Sequence, residues 1–255
     1  MPVWDPSQYL KFADHRLRPA LDLLARIPAE APGTVIDLGC GPGNVTTHLR
    51  RRWPDARIIG VDSSPQMLAK AAAAMPETRW IEADIGTWEP DQPVDVIYSN
   101  AALHWLGDHG RLFPRLMDWL APGGVLAVQM PRNYEAASHT CILDTARLGP
   151  WREALEPLLR PSPVAAPEAY YRFLSTHAER PDIWETVYMQ LLQGENPVVE
   201  FTKGSALKPL MDALSEPMRS DFEAAYAERI ASAYPPEKNG QTLFPFRRLF
   251  MVVQK

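Results

Sequence analysis

Three glycines at alternate positions, Gly39, Gly41 and Gly43, follow the apolar run Val35-Ile36-Asp37-Leu38. Missing side chains there let the backbone approach a ligand, and the helix that opens near Asn44 turns its N-terminus toward it. Such a turn binds something polar. A dinucleotide fingerprint requires G-x-G-x-x-G, and Asn44 stands where the last glycine belongs, which disfavours a nicotinamide cofactor. Asp62 closes the next apolar run, at about the 20-residue distance where an acidic side chain meets ribose hydroxyls. Adenosine without a pyrophosphate fits this pattern best. Cys40, a small thiol inside the turn, is read as contributing its backbone.

Short β-branched runs alternating with helical spacing must position these residues, the sequence form of a parallel sheet covered on both faces. Strands are expected at residues 34–39, 57–62, 79–84, 94–99 and 125–130. Helices are expected at 44–53, from Pro65 with Ser64 as its cap, and at 112–120, the last ended by Ala121-Pro122-Gly123-Gly124. Two helices, 6–12 and 19–27, precede the sheet. Later, 160–167 reads as a proline-rich loop and 169–177 as a helix. A sixth strand is expected at 183–192, helices across 209–234 with a break near Pro217, and a final strand at 246–253.

The chain has 255 residues, 46% of them hydrophobic, and a formal charge of −5, which suits a packed globule able to fold without staples. A mildly acidic chain without a run of Lys or Arg has no electrostatic footprint for nucleic acid. Its apolar runs have strand length, so no membrane span is expected, and residues 1–9 lack the apolar stretch of a signal peptide. Cys40 and Cys141 form no metal-ligand pair, and His15 and His48 have no partner at metal-ligand spacing. A soluble, cytoplasmic protein without a metal is expected.

The motifs together resemble the class I S-adenosylmethionine-dependent methyltransferases, whose first motif joins an acidic residue to a glycine-rich turn, as Asp37, Gly39, Gly41 and Gly43 do. The resemblance implies that the backbone from Gly39 to Asn44 faces the methionine part of S-adenosylmethionine. It implies that Asp62, beside Ser63, holds the ribose hydroxyls, Asp84 meets the adenine amine, and Ile85 lies against the ring. Asn100 matches the position beside the methyl donor. A narrower resemblance spans nearly the whole chain. Trp4-Asp5-Pro6-Ser7-Gln8-Tyr9-Leu10, Arg18-Pro19, Asp62-Ser63-Ser64-Pro65, Glu82-Ala83-Asp84-Ile85, residues 125–131, Tyr170-Tyr171 and Arg248-Leu249-Phe250 are similar to the trans-aconitate 2-methyltransferase family. That family esterifies one carboxylate of trans-aconitate. Lys208 departs from the arginine expected in its stretch.

A tricarboxylic acid needs cations, and the planar fork of arginine pairs with carboxylates better than lysine does. Arg132, directly after the fifth strand, and Arg248, in the last, lead the substrate candidates. Lys208, Asn133, Tyr134 and Tyr170 follow, with Tyr9 and Arg18 near the N-terminus. His104 and Trp105 come soon after Asn100. A carboxylate is ionised at neutral pH and needs no base, so positioning is favoured over base catalysis for His104, with Trp105 walling the pocket. The expected fold is a doubly wound, mostly parallel seven-stranded sheet in one methyltransferase domain, with N-terminal helices over 1–30, a sheet core over 31–131, and remaining strands and cap helices over 132–255. Alternatives are a methyltransferase for another small carboxylic acid, or a non-catalytic S-adenosylmethionine-binding protein.

Overall fold

The computed structural model describes residues 13–159, 161–178 and 180–255. Helix α1 (Ala13–Ala25) leads to β1 (Thr34–Leu38), α2 (Thr46–Arg52), β2 (Arg57–Asp62), α3 (Pro65–Ala74), β3 (Arg79–Glu82) and β4 (Val94–Asn100). A short 3-10 turn, Leu103–Trp105, precedes α4 (His109–Asp118) and β5 (Leu120–Pro131). Then come α5 (Ala137–Leu148), α6 (Arg152–Leu155), α7 (Pro167–Leu174), β6 (Asp182–Leu192), α8 (Pro197–Lys203), α9 (Lys208–Asp212), α10 (Met218–Ala233) and β7 (Thr242–Gln254). The sheet has seven strands in the order β3-β2-β1-β4-β5-β7-β6. β1 through β5 pair in parallel, and β7 runs antiparallel to β5 from Val125↔Gln254 to Pro131↔Arg248. This is the expected doubly wound, mostly parallel architecture.

Strand β1 reads as an almost unbroken apolar run because both faces are covered: Val35, Ile36 and Leu38 are fully buried. Ser64 caps α3 by accepting from the Met67 amide, with Pro65 in the first turn as expected. Three boundaries differ from the sequence reading. Helix α1 continues through Pro19 instead of opening there, and Tyr98 ties it to the sheet by donating to the Ala20 carbonyl at 2.9 Å. Helix α4 begins at His109, after Asp108 adopts a left-handed φ of 49°. Strand β5 already begins at Leu120, opposite Val94, and rejoins β4 at Val125↔Val96. Ala121–Gly124 is thus a bulge inside the strand instead of a turn before it. A Cβ on Gly124 would come within 3.2 Å of three backbone oxygens, so only glycine fits there. The expected helix at 6–12 lies outside the described residues.

The chain divides into two compact units. A sheet unit comprises 16–131, 163–186 and 248–255. A helical unit draws chiefly on 132–162 and 187–247, around a core that includes Ile142, Trp151, Phe201, Phe222, Tyr226 and Phe244. No helix among the described residues is long and apolar enough to cross a membrane. Among them, no cluster of three His, Cys, Asp or Glu side chains is placed to hold a metal.

Candidate active site

Within the sheet unit, the glycine turn leaves β1 and hooks back onto β2. The amides of Gly39 and Cys40 both donate to the Val61 carbonyl, Gly41 donates to Asp62 Oδ2 at 2.8 Å, and Gly43 donates to the Cys40 carbonyl. These four amides are spent inside the protein, so the turn offers no nest for a phosphate. All three glycines have positive φ. A Cβ on Gly39 would fall 2.1 Å from that of Ala102, whereas one on Gly41 would meet nothing within 4 Å. Gly39 is required by packing, and Gly41 keeps its side open for a ligand.

The groups around this turn are acceptors. The Asp62 carboxylate takes the Gly41 and Ser64 amides on separate oxygens and keeps lone pairs for hydroxyls. Ser63 lies beside it in the same turn. Asp84 is exposed, with Oδ1 held by the Gly86 amide at 2.8 Å. The Ile85 side chain reaches 3.7 Å from the Cβ position of Gly39, which puts an apolar surface next to Asp84. At the carboxyl end of β4, Asn100 Oδ1 is buried without a hydrogen-bond partner among the described residues, and Ala101 follows with a left-handed φ of 54°. Backbone strain of this kind concentrates at functional sites. Two carboxylates and one orphan acceptor, with no phosphate cradle, suit a nucleoside bearing hydroxyls, an amine and an ammonium. S-Adenosylmethionine has those groups.

Asp37 stands in the strand that leads into the turn. It is buried and accepts from Thr46 Oγ1 at 2.6 Å, fastening β1 to the start of α2 beneath the turn. Burial pushes its carboxyl up to about 7, against the Thr46 bond and with help from Asp62. The Cys40 thiol is raised far above its usual range, by burial first and then by Asp37 and Asp62, so it stays protonated and unreactive. Asn44 is exposed just beyond the glycines. Sequence reasoning missed Trp80, whose ring atoms lie 2.3 Å from a Cβ placed on Gly60 and 3.0 Å from one on Gly43. Glycine in the middle of a strand was the available signal for that close approach.

His104 is buried in the 3-10 turn after β4, and its ring lies 4.6 Å from that of Trp105, which is half exposed. Arg248 is 4% exposed and donates to Gln129 Oε1 at 3.3 Å. Gln129 neighbours Asn100 across the β4–β5 ladder, so Asn100, Gln129 and Arg248 form a polar row at the carboxyl edge of the sheet. Arg18 is exposed on α1. Tyr170 is fully buried, donates to His109 Nδ1 at 2.7 Å and accepts from the Ala165 amide. His109 Nε2 in turn donates to the Leu103 carbonyl, so the pair is satisfied internally.

In the helical unit, the Arg132 amide donates to the Arg247 carbonyl directly after β5. Asn133 is buried with its amide oxygen on the Arg247 amide and its nitrogen on Ser138 Oγ. Both ends of its amide are engaged by these two contacts. Tyr134 lies 5.1 Å from the His139 ring, and burial pushes its hydroxyl up to about 12. Lys208 is paired with Asp212 at 3.0 Å, so its charge already has a partner. Tyr9 lies outside the described residues.

A family profile for a methyltransferase domain matches residues 35–124, from β1 through the bulge of β5. The trans-aconitate 2-methyltransferase of Azoarcus sp. is 48% identical over 252 residues, covering 99% of each chain. That of Streptomyces avermitilis is 46% identical over all of this chain and 98% of its own. A phosphoethanolamine N-methyltransferase 2 of Haemonchus contortus, solved with S-adenosyl-L-methionine, superposes with a TM-score of 0.54 at 16% identity, over 92% of this chain and 52% of that one. It shares the fold alone. Identity of this extent, over the whole length, places the chain in the trans-aconitate 2-methyltransferase family.

Proposed function

We infer that this chain transfers a methyl group from S-adenosylmethionine to a carboxylate of trans-aconitate, giving a monomethyl ester and S-adenosylhomocysteine. The observation that carries the reading is the full-length identity to enzymes of that name, and the acceptor-lined turn supports it. When bound, S-adenosylmethionine supplies an electrophilic methyl carbon on a cationic sulfur. We assign Asp62 and Ser63 to the ribose, Asp84 and Ile85 to the adenine, and the backbone from Gly39 to Asn44 with Asn100 Oδ1 to the methionine end.

The attacking carboxylate is ionised at neutral pH, so no residue needs to remove a proton. The work of the protein is alignment of oxygen, carbon and sulfur and exclusion of water. Arg248, oriented by Gln129, holds a carboxylate, while His104 and Trp105 wall the place where the methyl passes. We place the reaction in the cytoplasm, where the free thiols of Cys40 and Cys141 stay reduced. The test is formation of S-adenosylhomocysteine with trans-aconitate, cis-aconitate, citrate and isocitrate supplied separately. Preference for trans-aconitate supports the reading; equal rates without any acid, or none with any, overturn it.

A further inference from the structure

Gln129 stands near the carboxyl end of β5 and is fully buried, yet the two ends of its amide are in different situations. Its Oε1 accepts from Arg248 Nη1 at 3.3 Å. A guanidinium only donates, so the end of the amide turned toward it is the oxygen, and the nitrogen must face another way. That nitrogen is buried without a hydrogen-bond partner among the described residues. Burying an NH2 group in this way works against folding, so it asks for a use beyond folding.

The register of the sheet decides what lies on either side. Asn100 and Gln129 are partners across the parallel β4–β5 ladder, and Gln129 and Phe250 across the antiparallel β5–β7 ladder, so these three side chains leave the sheet on one face. Arg248, two residues before Phe250, shares that face. With neighbouring strands about 4.8 Å apart, Gln129 occupies the middle of a row that runs from Asn100 on β4 to Arg248 on β7. Asn100 Oδ1 is also buried without a partner among the described residues, so a donor and an acceptor stand on adjacent strands without joining each other. All three residues belong to the sheet unit. Asn100 bounds the row on the side assigned above to the methionine end of S-adenosylmethionine, and Arg248 bounds it on the side assigned to a carboxylate of the acid.

We propose that Gln129 is a substrate-recognising residue: its Nε2–H donates to the carboxylate that receives the methyl, while its Oε1 keeps hold of Arg248. The inference rests on the carboxyl-methylation reading above. Gln129 stands one strand from Asn100 and Arg248 stands two, which puts the amide nearer the methyl donor. A neutral donor suits that position. It fixes the direction of the attacking oxygen while withdrawing less electron density than a second guanidinium would, so the oxygen stays nucleophilic.

A double-mutant cycle separates direct contact from a role exercised only through Arg248. Gln129→Met keeps the length of the side chain and removes both ends of the amide. That variant, Arg248→Met and the double variant are compared with the unmodified enzyme for KM and for S-adenosylmethionine Kd. Gln129→Met is expected to raise KM for trans-aconitate by about tenfold, and by about a further tenfold in the Arg248→Met background, with the Kd unchanged. A residue that only holds Arg248 has no effect once Arg248 is gone, and that outcome overturns the proposal. A raised Kd with KM unchanged places the amide at the cofactor and overturns it as well. A second measurement needs no double variant. In protein labelled with nitrogen-15 glutamine and saturated with S-adenosylhomocysteine, the side-chain amide signal that Gln129→Met lacks is expected to shift when trans-aconitate is added; a signal that stays in place overturns the proposal. These outcomes count against this inference alone when the unmodified enzyme methylates trans-aconitate. No transfer by the unmodified enzyme overturns both it and the carboxyl-methylation reading.

Discussion

Arg248 donates to Gln129 Oε1 at 3.3 Å, and both side chains are buried. Gln129 belongs to β5 and Arg248 to β7, the antiparallel neighbour that closes this part of the sheet. The bond holds a guanidinium at the carboxyl edge of the parallel strands, where open α/β sheets bind their ligands. Replacing Arg248 with Met preserves volume and removes the fork. KM for trans-aconitate is expected to rise by roughly 10- to 100-fold, while calorimetry finds the S-adenosylmethionine Kd unchanged. Arg248→Lys should recover little, because an ammonium lacks the bidentate geometry. An unaltered KM in both variants removes Arg248 from the substrate site.

Gly39 and Gly41 separate packing from ligand contact. Gly39→Ala meets Ala102 and sits at a φ of 80°, so it is expected to lower unfolding stability by more than about 2 kcal/mol and to abolish cofactor binding. Gly41→Ala has open space around it and should cost only about 1 kcal/mol of backbone strain. Its cofactor affinity should nonetheless fall by at least about tenfold, because the methyl projects into the ligand's place. Denaturant unfolding with calorimetry distinguishes the two; equal affinity loss at equal stability cost contradicts the assignment.

Asp37 makes stability depend on pH. Its folded carboxyl is raised from 3.8 to about 7, so between these values the folded state keeps a proton that the unfolded chain has released. The associated stability is fully present below 3.8, declines as pH rises, and is lost above about 7. From pH 5 to pH 8 this amounts to roughly 3 kcal/mol. Asp37→Asn keeps an acceptor for Thr46 without titrating, so its stability should fall correspondingly less over that interval. Parallel pH curves for the two proteins contradict the burial account.

Tyr170→Phe tests a core role against a substrate role. Loss of the hydroxyl leaves His109 Nδ1 and the Ala165 amide without their partner. A stability loss of about 1–3 kcal/mol is expected, with KM for the acid unchanged. A raised KM at full stability would return Tyr170 to the substrate site.

The cofactor half of the site is legible in the sequence because its determinants are local. Glycines, the preceding apolar run and Asp62 occupy one βαβ unit, and the structure places them around one turn. The edges of elements are less legible. Leu120 pairs with Val94 across a four-residue excursion that the pattern Ala-Pro-Gly-Gly presents as a stop. Helical spacing alone did not decide that Tyr170 faces inward, since its partners His109 and Ala165 come from other segments. The placement of Asn133 depends on a contact from Arg247, more than a hundred residues away, and no local signal announces it. Gly60 was the exception: its place inside a strand hinted at the Trp80 ring packed over it.

Methylation of one acid among close relatives is the most direct test of this chain's activity. Purified protein is to be incubated with methyl-labelled S-adenosylmethionine and an equimolar mixture of trans-aconitate, cis-aconitate, citrate and isocitrate, and the products identified by mass spectrometry. A base-labile monomethyl ester of trans-aconitate is expected as the dominant labelled product. A labelled product from another acid in its place, or bound cofactor with no labelled acid at all, would contradict it.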